Sequence, residues 1–109
     1  DPNNCNKPLN VAEAGPTNPM RIENDTGGPI NLSLNLATNA FGQCGALSYS
    51  VPKNGKQVIN LPKGSWWAYA WITYPNGTSG TSEGSFQINP GDFDLLRIVV
   101  GKEVIQSKP

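Results

Sequence analysis

Histidine is absent from the 109 residues, and cysteine occurs only at Cys5 and Cys44. The commonest general base, the Ser-His and Cys-His nucleophile pairs and the usual transition-metal ligands are therefore missing. Carboxylates are sparse: Asp92 and Asp94 flank Phe93, and Glu23 and Asp25 flank Asn24. Either pair could offer oxygens to Ca²⁺, but a hard cation takes about 6 to 8 oxygen ligands and no loop concentrates them. As a general acid and base, such a pair would need an adjoining pocket. The expectation is a chain that is not an enzyme and that uses no metal and no cofactor.

Binding chemistry is better represented. Residues 65–74 (S-W-W-A-Y-A-W-I-T-Y) alternate so that Trp67, Tyr69, Trp71 and Thr73 share one face, and Trp66, Ala68, Ala70, Ile72 and Tyr74 the other. Both faces are apolar, and two arrangements follow. Either Trp67, Tyr69 and Trp71 form core and the alanine face is outside, or they project outward with successive members roughly 6.7 Å apart. An exposed aromatic row of that size marks an interaction site. It can stack on sugar rings while nearby Asn and Thr side chains bond hydroxyls, or be covered by another copy of the chain. Asn24, Asn31 and Asn76 each begin an N-x-Ser/Thr glycosylation pattern. Thirteen Asn and fourteen Ser or Thr in 109 residues give about two such matches by chance, so the three are candidates only.

The elements that must hold these residues are strands. Gly and Pro supply 22 residues, so turn formers are abundant and helix formers scarce. Residues 30–37 (I-N-L-S-L-N-L-A) place Ile30, Leu32, Leu34 and Leu36 on one face and Asn31, Ser33 and Asn35 on the other, the period-two mark of a half-buried strand. Strands are predicted at about 20–24, 29–37, 47–52, 56–61, 65–74, 84–88 and 93–100, joined by Gly/Pro/Asn-rich turns. Asn54-Gly55 is the strongest hairpin signal, and residues 76–84 (N-G-T-S-G-T-S-E-G) read as a flexible polar loop. Seven short strands predict a single all-β sandwich of the immunoglobulin type over residues 19–101. Residues 1–18, with three Pro and five Asn, read as an extended arm.

Residues 21–28 (R-I-E-N-D-T-G-G), the alternating strand after them, Tyr49-Ser50-Val51-Pro52-Lys53-Asn54-Gly55 and Leu61-Pro62-Lys63-Gly64-Ser65-Trp66 together form a pattern. It resembles the transthyretin-like, carboxypeptidase-regulatory-like sandwich modules of bacterial secreted and surface proteins, over about residues 20–100. The resemblance implies a transthyretin-like or immunoglobulin-like sandwich with Trp66 turned inward, which leaves Trp67, Tyr69 and Trp71 outside. Some of those modules carry a Lys-Asn isopeptide bond with the lysine on the first strand. Here that strand offers only Arg21, whose guanidinium stays protonated and cannot act as the amine nucleophile. Fold alone assigns no activity.

Eight Lys plus Arg balance eight Asp plus Glu, so no basic excess exists to bind nucleic acid, and no apolar run reaches the ~18 residues of a membrane span. A Cys5–Cys44 bond within one chain would close a loop of about 40 residues and place the chain in an oxidising, extracellular compartment. The alternatives are a bridge between subunits or two buried thiols. No basic-then-apolar leader precedes Asp1, so either the chain is cytosolic or a signal peptide has been removed, and the lack of an initiator Met favours removal. Residues 93–100 (F-D-L-L-R-I-V-V) need cover on both faces, as a central strand does. The tail, 102–109, carries Val104 and Ile105 in a strand-like piece with no partner in a seven-strand count, so it is a candidate for pairing with a neighbour's sheet edge. The resulting expectation is a self-associating extracellular or cell-surface subunit, a filament or similar homopolymer, held by terminal β segments and the aromatic face. The alternative is a carbohydrate-binding or adhesion module that uses that face as a glycan platform.

Overall fold

Alternation in the sequence becomes burial in the computed structural model, which describes residues 5–89 and 96–108. The strands are β1 (Thr17–Asn24), β2 (Ile30–Leu36), β3 (Gly45–Val51), β4 (Lys56–Pro62), β5 (Gly64–Thr73), β6 (Ser79–Ile88), β7 (Leu96–Val100) and β8 (Ile105–Lys108). They form two four-stranded sheets, ordered β4-β1-β7-β8 and β3-β2-β5-β6. Only β1 and β7 run parallel; the other ladders are antiparallel. The shortest dimension of the molecule is 19 Å, as two sheets about 10 Å apart with side chains on both outer faces require. The fold is the predicted all-β sandwich, with one strand more than the sequence count.

Inward residues of the two sheets make one core. β1 contributes Met20 and Ile22, β2 contributes Ile30, Leu32, Leu34 and Leu36, and β7 contributes Ile98 and Val100, all buried. Trp66 is 2% exposed, stacks on Phe86 of the neighbouring strand with ring centroids 6.3 Å apart, and donates its indole N–H to the Pro62 carbonyl at 3.0 Å. That bond removes the cost of burying the indole's polar atom.

Several local expectations are corrected. The turn at Asn54-Gly55 does not make a hairpin: β3 and β4 lie in different sheets. Its 2.8 Å bond joins the Gly55 N–H to the Pro52 carbonyl, so Lys53 and Asn54 are the central residues, and of these only Asn54 has positive φ, at 59°. The I′ hairpin turn needs positive φ at both central positions, so this turn arches between layers instead. Residues 79–84 are not a loop but the first half of β6, paired with 68–73 of β5. Their inward positions are Gly80, Ser82 and Gly84, which removes the apolar alternation that would have announced a strand. Two of these are glycines for different reasons: at Gly80 a Cβ would press on the Tyr74 ring, and at Gly84, where β8 crosses closely, it would overlap the Ile105 carbonyl.

Both chain ends, as far as they are described, are tied to their own sandwich. Cys5 and Cys44 form a disulfide within the chain. The Leu9 N–H donates to the Ala46 carbonyl at 3.0 Å and the Ala46 N–H to the Lys7 carbonyl at 2.8 Å, so the arm covers part of the β3 edge. Leu9 and Ala14 are buried. The tail pairs with β7, Val100 opposite Ile105, and Val104 bridges Glu83 of β6. The expectation that Val104 and Ile105 lack a partner is therefore corrected. Ile105 belongs to the core at 4% exposure, and only the Val104 side chain faces out. A strand so short gave no apolar alternation from which its place beside β7 could be read.

Candidate aromatic face

Pairing register decides which face of β5 looks outward. Leu32, Leu34 and Leu36 of β2 stand opposite Ala70, Ala68 and Trp66 of β5, and paired residues share a face of the sheet. Because the leucines must be inside, the alanines and Trp66 go with them, and Trp67, Tyr69 and Trp71 are driven out. Trp67 is 43% and Trp71 52% exposed. Tyr69 is half-buried and meets Trp71 edge-on, with centroids 4.6 Å apart and planes inclined by 63°. The row is thus two open indoles, roughly 13 Å apart along the strand, with Tyr69 bracing Trp71.

Hydrogen-bonding side chains line both flanks. On the β2 side Asn35, Ser33 and Asn31 stand opposite Trp67, Tyr69 and Trp71; on the β6 side the opposite residues are Ser85, Glu83 and Thr81. Opposed side chains start about 5 Å apart, so each aromatic ring has polar groups beside it in both directions. Ser50 donates to Asn31 Oδ1 at 3.0 Å and Asn35 Nδ2 donates to Ser33 Oγ at 3.4 Å, which orients both amides. Two depressions lie at the ends of the row. One, of about 370 Å³, is lined by Cys5, Asn35, Ser65 and Trp67 together with the apolar Leu36, Ala37 and Trp66; the other, of about 150 Å³, is lined in part by Asn31, Ser33, Ser50, Tyr49 and Trp71. Sequence alternation puts Asn31, Ser33 and Asn35 on one polar face, but that they and residues of β3 and β6 stand beside the aromatic row is a matter of register across strands, which the sequence does not show.

The opposite outer face is of another kind. Arg21, Arg97 and Lys108 stand in one cross-strand row, with Lys56 opposite Glu23. Glu23 Oε2 lies 3.3 Å from Arg97 Nη1 and 4.0 Å from Arg21 Nη1, so this carboxylate is engaged by guanidinium groups. Among the described residues no three His, Cys, Asp or Glu side chains come together as a metal site would require. Asp92 and Asp94 lie outside the described residues.

The three N-x-Ser/Thr asparagines differ in accessibility. Asn24 is 4% exposed; its Nδ2 donates to the carbonyls of Gly28 at 2.9 Å, Val51 at 3.3 Å and Pro52 at 2.9 Å, and its Oδ1 accepts from the Thr26 N–H and hydroxyl. It fastens the end of β1 to the β3–β4 arch, and an amide so enclosed cannot accept a glycan in the folded chain, which corrects that candidate. Asn31 sits beside Trp71 on the aromatic face. Asn76 is exposed in the β5–β6 turn, its Oδ1 accepting from the Thr78 N–H and hydroxyl.

No protein-family model, curated protein or solved structure matches the chain. The disulfide fits an oxidising compartment, and among the described residues no helix is long and apolar enough to cross a membrane.

Proposed function

We propose that this domain is a non-catalytic, exported binding module whose Trp67–Trp71 face stacks on polysaccharide. One observation carries the reading: two indoles on one strand, each about half exposed, with Asn, Ser and Thr side chains opposite them on both neighbouring strands. Apolar sugar faces lie on aromatic rings, and hydroxyls need donors and acceptors at the ring margins, so a surface offering both in this order suits a glycan. The motif resemblance to secreted and surface modules and the disulfide support an extracellular site of action.

Retention on a panel of insoluble and gel-immobilised polysaccharides tests the proposal. Trp67→Ala and Trp71→Ala are each expected to weaken binding about tenfold, close to the upper range of a single aromatic contact. Retention unchanged in the double variant, or no polysaccharide retained at all, refutes it.

A second reading, the self-assembling surface subunit, is favoured by a different observation. Val58, on edge strand β4, is 55% exposed, and among the described residues no strand pairs with the β3 edge beyond Ala46. Open edges accept strands from other copies. In that case light scattering shows concentration-dependent polymer, and a Val58→Lys variant stays monomeric. The terminal segments, paired within their own chain, do not support it.

A further inference from the structure

We propose that the ligand of the aromatic face is an uncharged polysaccharide, and that Glu83 is the residue that turns acidic glycans away. This rests on the polysaccharide reading above and adds the class of polymer to it.

The argument is one of charge placement. Outward positions of the β3-β2-β5-β6 sheet hold Asn, Ser, Thr, Gln, Ala46 and the three aromatics, with Glu83 as the single carboxylate and no Lys or Arg. The described basic residues lie off this face: Arg21, Lys56, Arg97 and Lys108 on the opposite sheet, Lys7 in the arm along the β3 edge, and Lys53, Lys63 and Lys102 in turns. A uronate or sulfate group lying on the indole row would leave water without gaining a cation from any strand of this sheet, and charge complementarity is what makes a binding surface prefer charged partners. Neutral hydroxyls suffer no such loss.

Glu83 adds active discrimination. It is exposed and has no ion pair among the described residues. It stands opposite Tyr69, at the centre of the row. Trp67 and Trp71 are its two diagonal neighbours, and diagonal Cβ atoms lie roughly 7 to 8 Å apart. That is within the Debye length of about 8 Å at physiological salt. A sugar on either indole therefore feels the carboxylate, and an acidic polymer spanning both feels it along its whole contact.

The test is affinity electrophoresis of the intact chain through gels containing a neutral polymer (a soluble β-glucan or a galactomannan) or an acidic one (polygalacturonate or a sulfated galactan). The quantity compared is the part of the retardation lost in the Trp67→Ala/Trp71→Ala double variant. The wild type is expected to bind neutral polymer at least tenfold more tightly than acidic polymer, with the gap narrowing in 0.5 M salt as screening predicts. Glu83→Lys is expected to shift the acidic-to-neutral ratio about tenfold toward acidic. Equal or tighter Trp-dependent binding of acidic polymer by the wild type, or an unchanged ratio in Glu83→Lys, overturns the inference and leaves the polysaccharide reading standing. Failure of that reading looks different: neither class shows Trp-dependent retardation.

Discussion

Replacing both cysteines, Cys5→Ala/Cys44→Ala, separates what the disulfide does from what the arm does by itself. The bonded residues are 39 apart in sequence, and the chain-entropy relation for a loop of that length gives about 13 cal/mol/K, or about 4 kcal/mol at 25 °C. A chain of 109 residues has roughly 5 to 16 kcal/mol to lose, so the variant should still fold. At about 2.1 cal/mol/K per residue its unfolding entropy is near 0.23 kcal/mol/K, which converts the loss to a melting point lower by about 17 °C. The arm should nonetheless stay in place, because Leu9 and Ala14 remain buried and the two backbone bonds to Ala46 are independent of sulfur. Calorimetry measures the first effect, and amide exchange at Leu9 and Ala46 the second. A melting point lowered by less than about 5 °C, or exchange at Leu9 and Ala46 reaching solvent rates while the rest of the sandwich is protected, refutes the reasoning.

Asn24→Asp is isosteric but points an oxygen at the three carbonyls that Nδ2 now serves; a loss of at least about 3 kcal/mol is expected from urea unfolding, and less than 1 kcal/mol would show the amide to be dispensable. Ser82 buries its hydroxyl without a partner among the described residues, so Ser82→Ala should stabilise the fold by about 1 kcal/mol in the same assay; destabilisation would mean the hydroxyl is bonded after all. Burial raises the Tyr49 phenol above its ordinary value of 10.0, so the folded state favours the protonated ring. The stability this supplies is complete below pH 10 and is lost as pH rises through the folded value. Tyr49→Phe should therefore lose less stability than wild type between pH 9 and 11, and parallel pH profiles would contradict this.

What the sequence made legible follows how plainly each strand alternates. β2 sets Leu against Asn and Ser, and its buried face matches the pattern residue for residue. β5 is apolar on both faces, so its own residues leave two orientations open; the register with β2 resolves them, and register is a property of two strands together. The first half of β6 reads as a loop because Gly80 packs under the Tyr74 ring and Gly84 under the Ile105 backbone, contacts that demand small residues. β8 was hidden for a related reason, since only Ile105 of its four residues is buried. Asn54-Gly55 misled because a two-letter turn signal does not specify whether the chain returns within one sheet or crosses to the other. The aromatic row and the presence of Asn and Thr near it were visible in the sequence, whereas which residues of β2 and β6 flank each ring, and the edge-on contact of Tyr69 with Trp71, were not.

The three indole N–H groups offer the most direct test of whether the aromatic face is the binding site. In a ¹⁵N-labelled sample titrated with neutral oligosaccharides drawn from a polymer the module retains, the Trp67 and Trp71 indole signals should shift with a common saturation curve. The Trp66 signal, bonded to the Pro62 carbonyl inside the core, should stay still. Shifts concentrated instead around Arg21, Arg97 and Lys108, with Trp67 and Trp71 unmoved, would place binding on the other sheet and contradict the account.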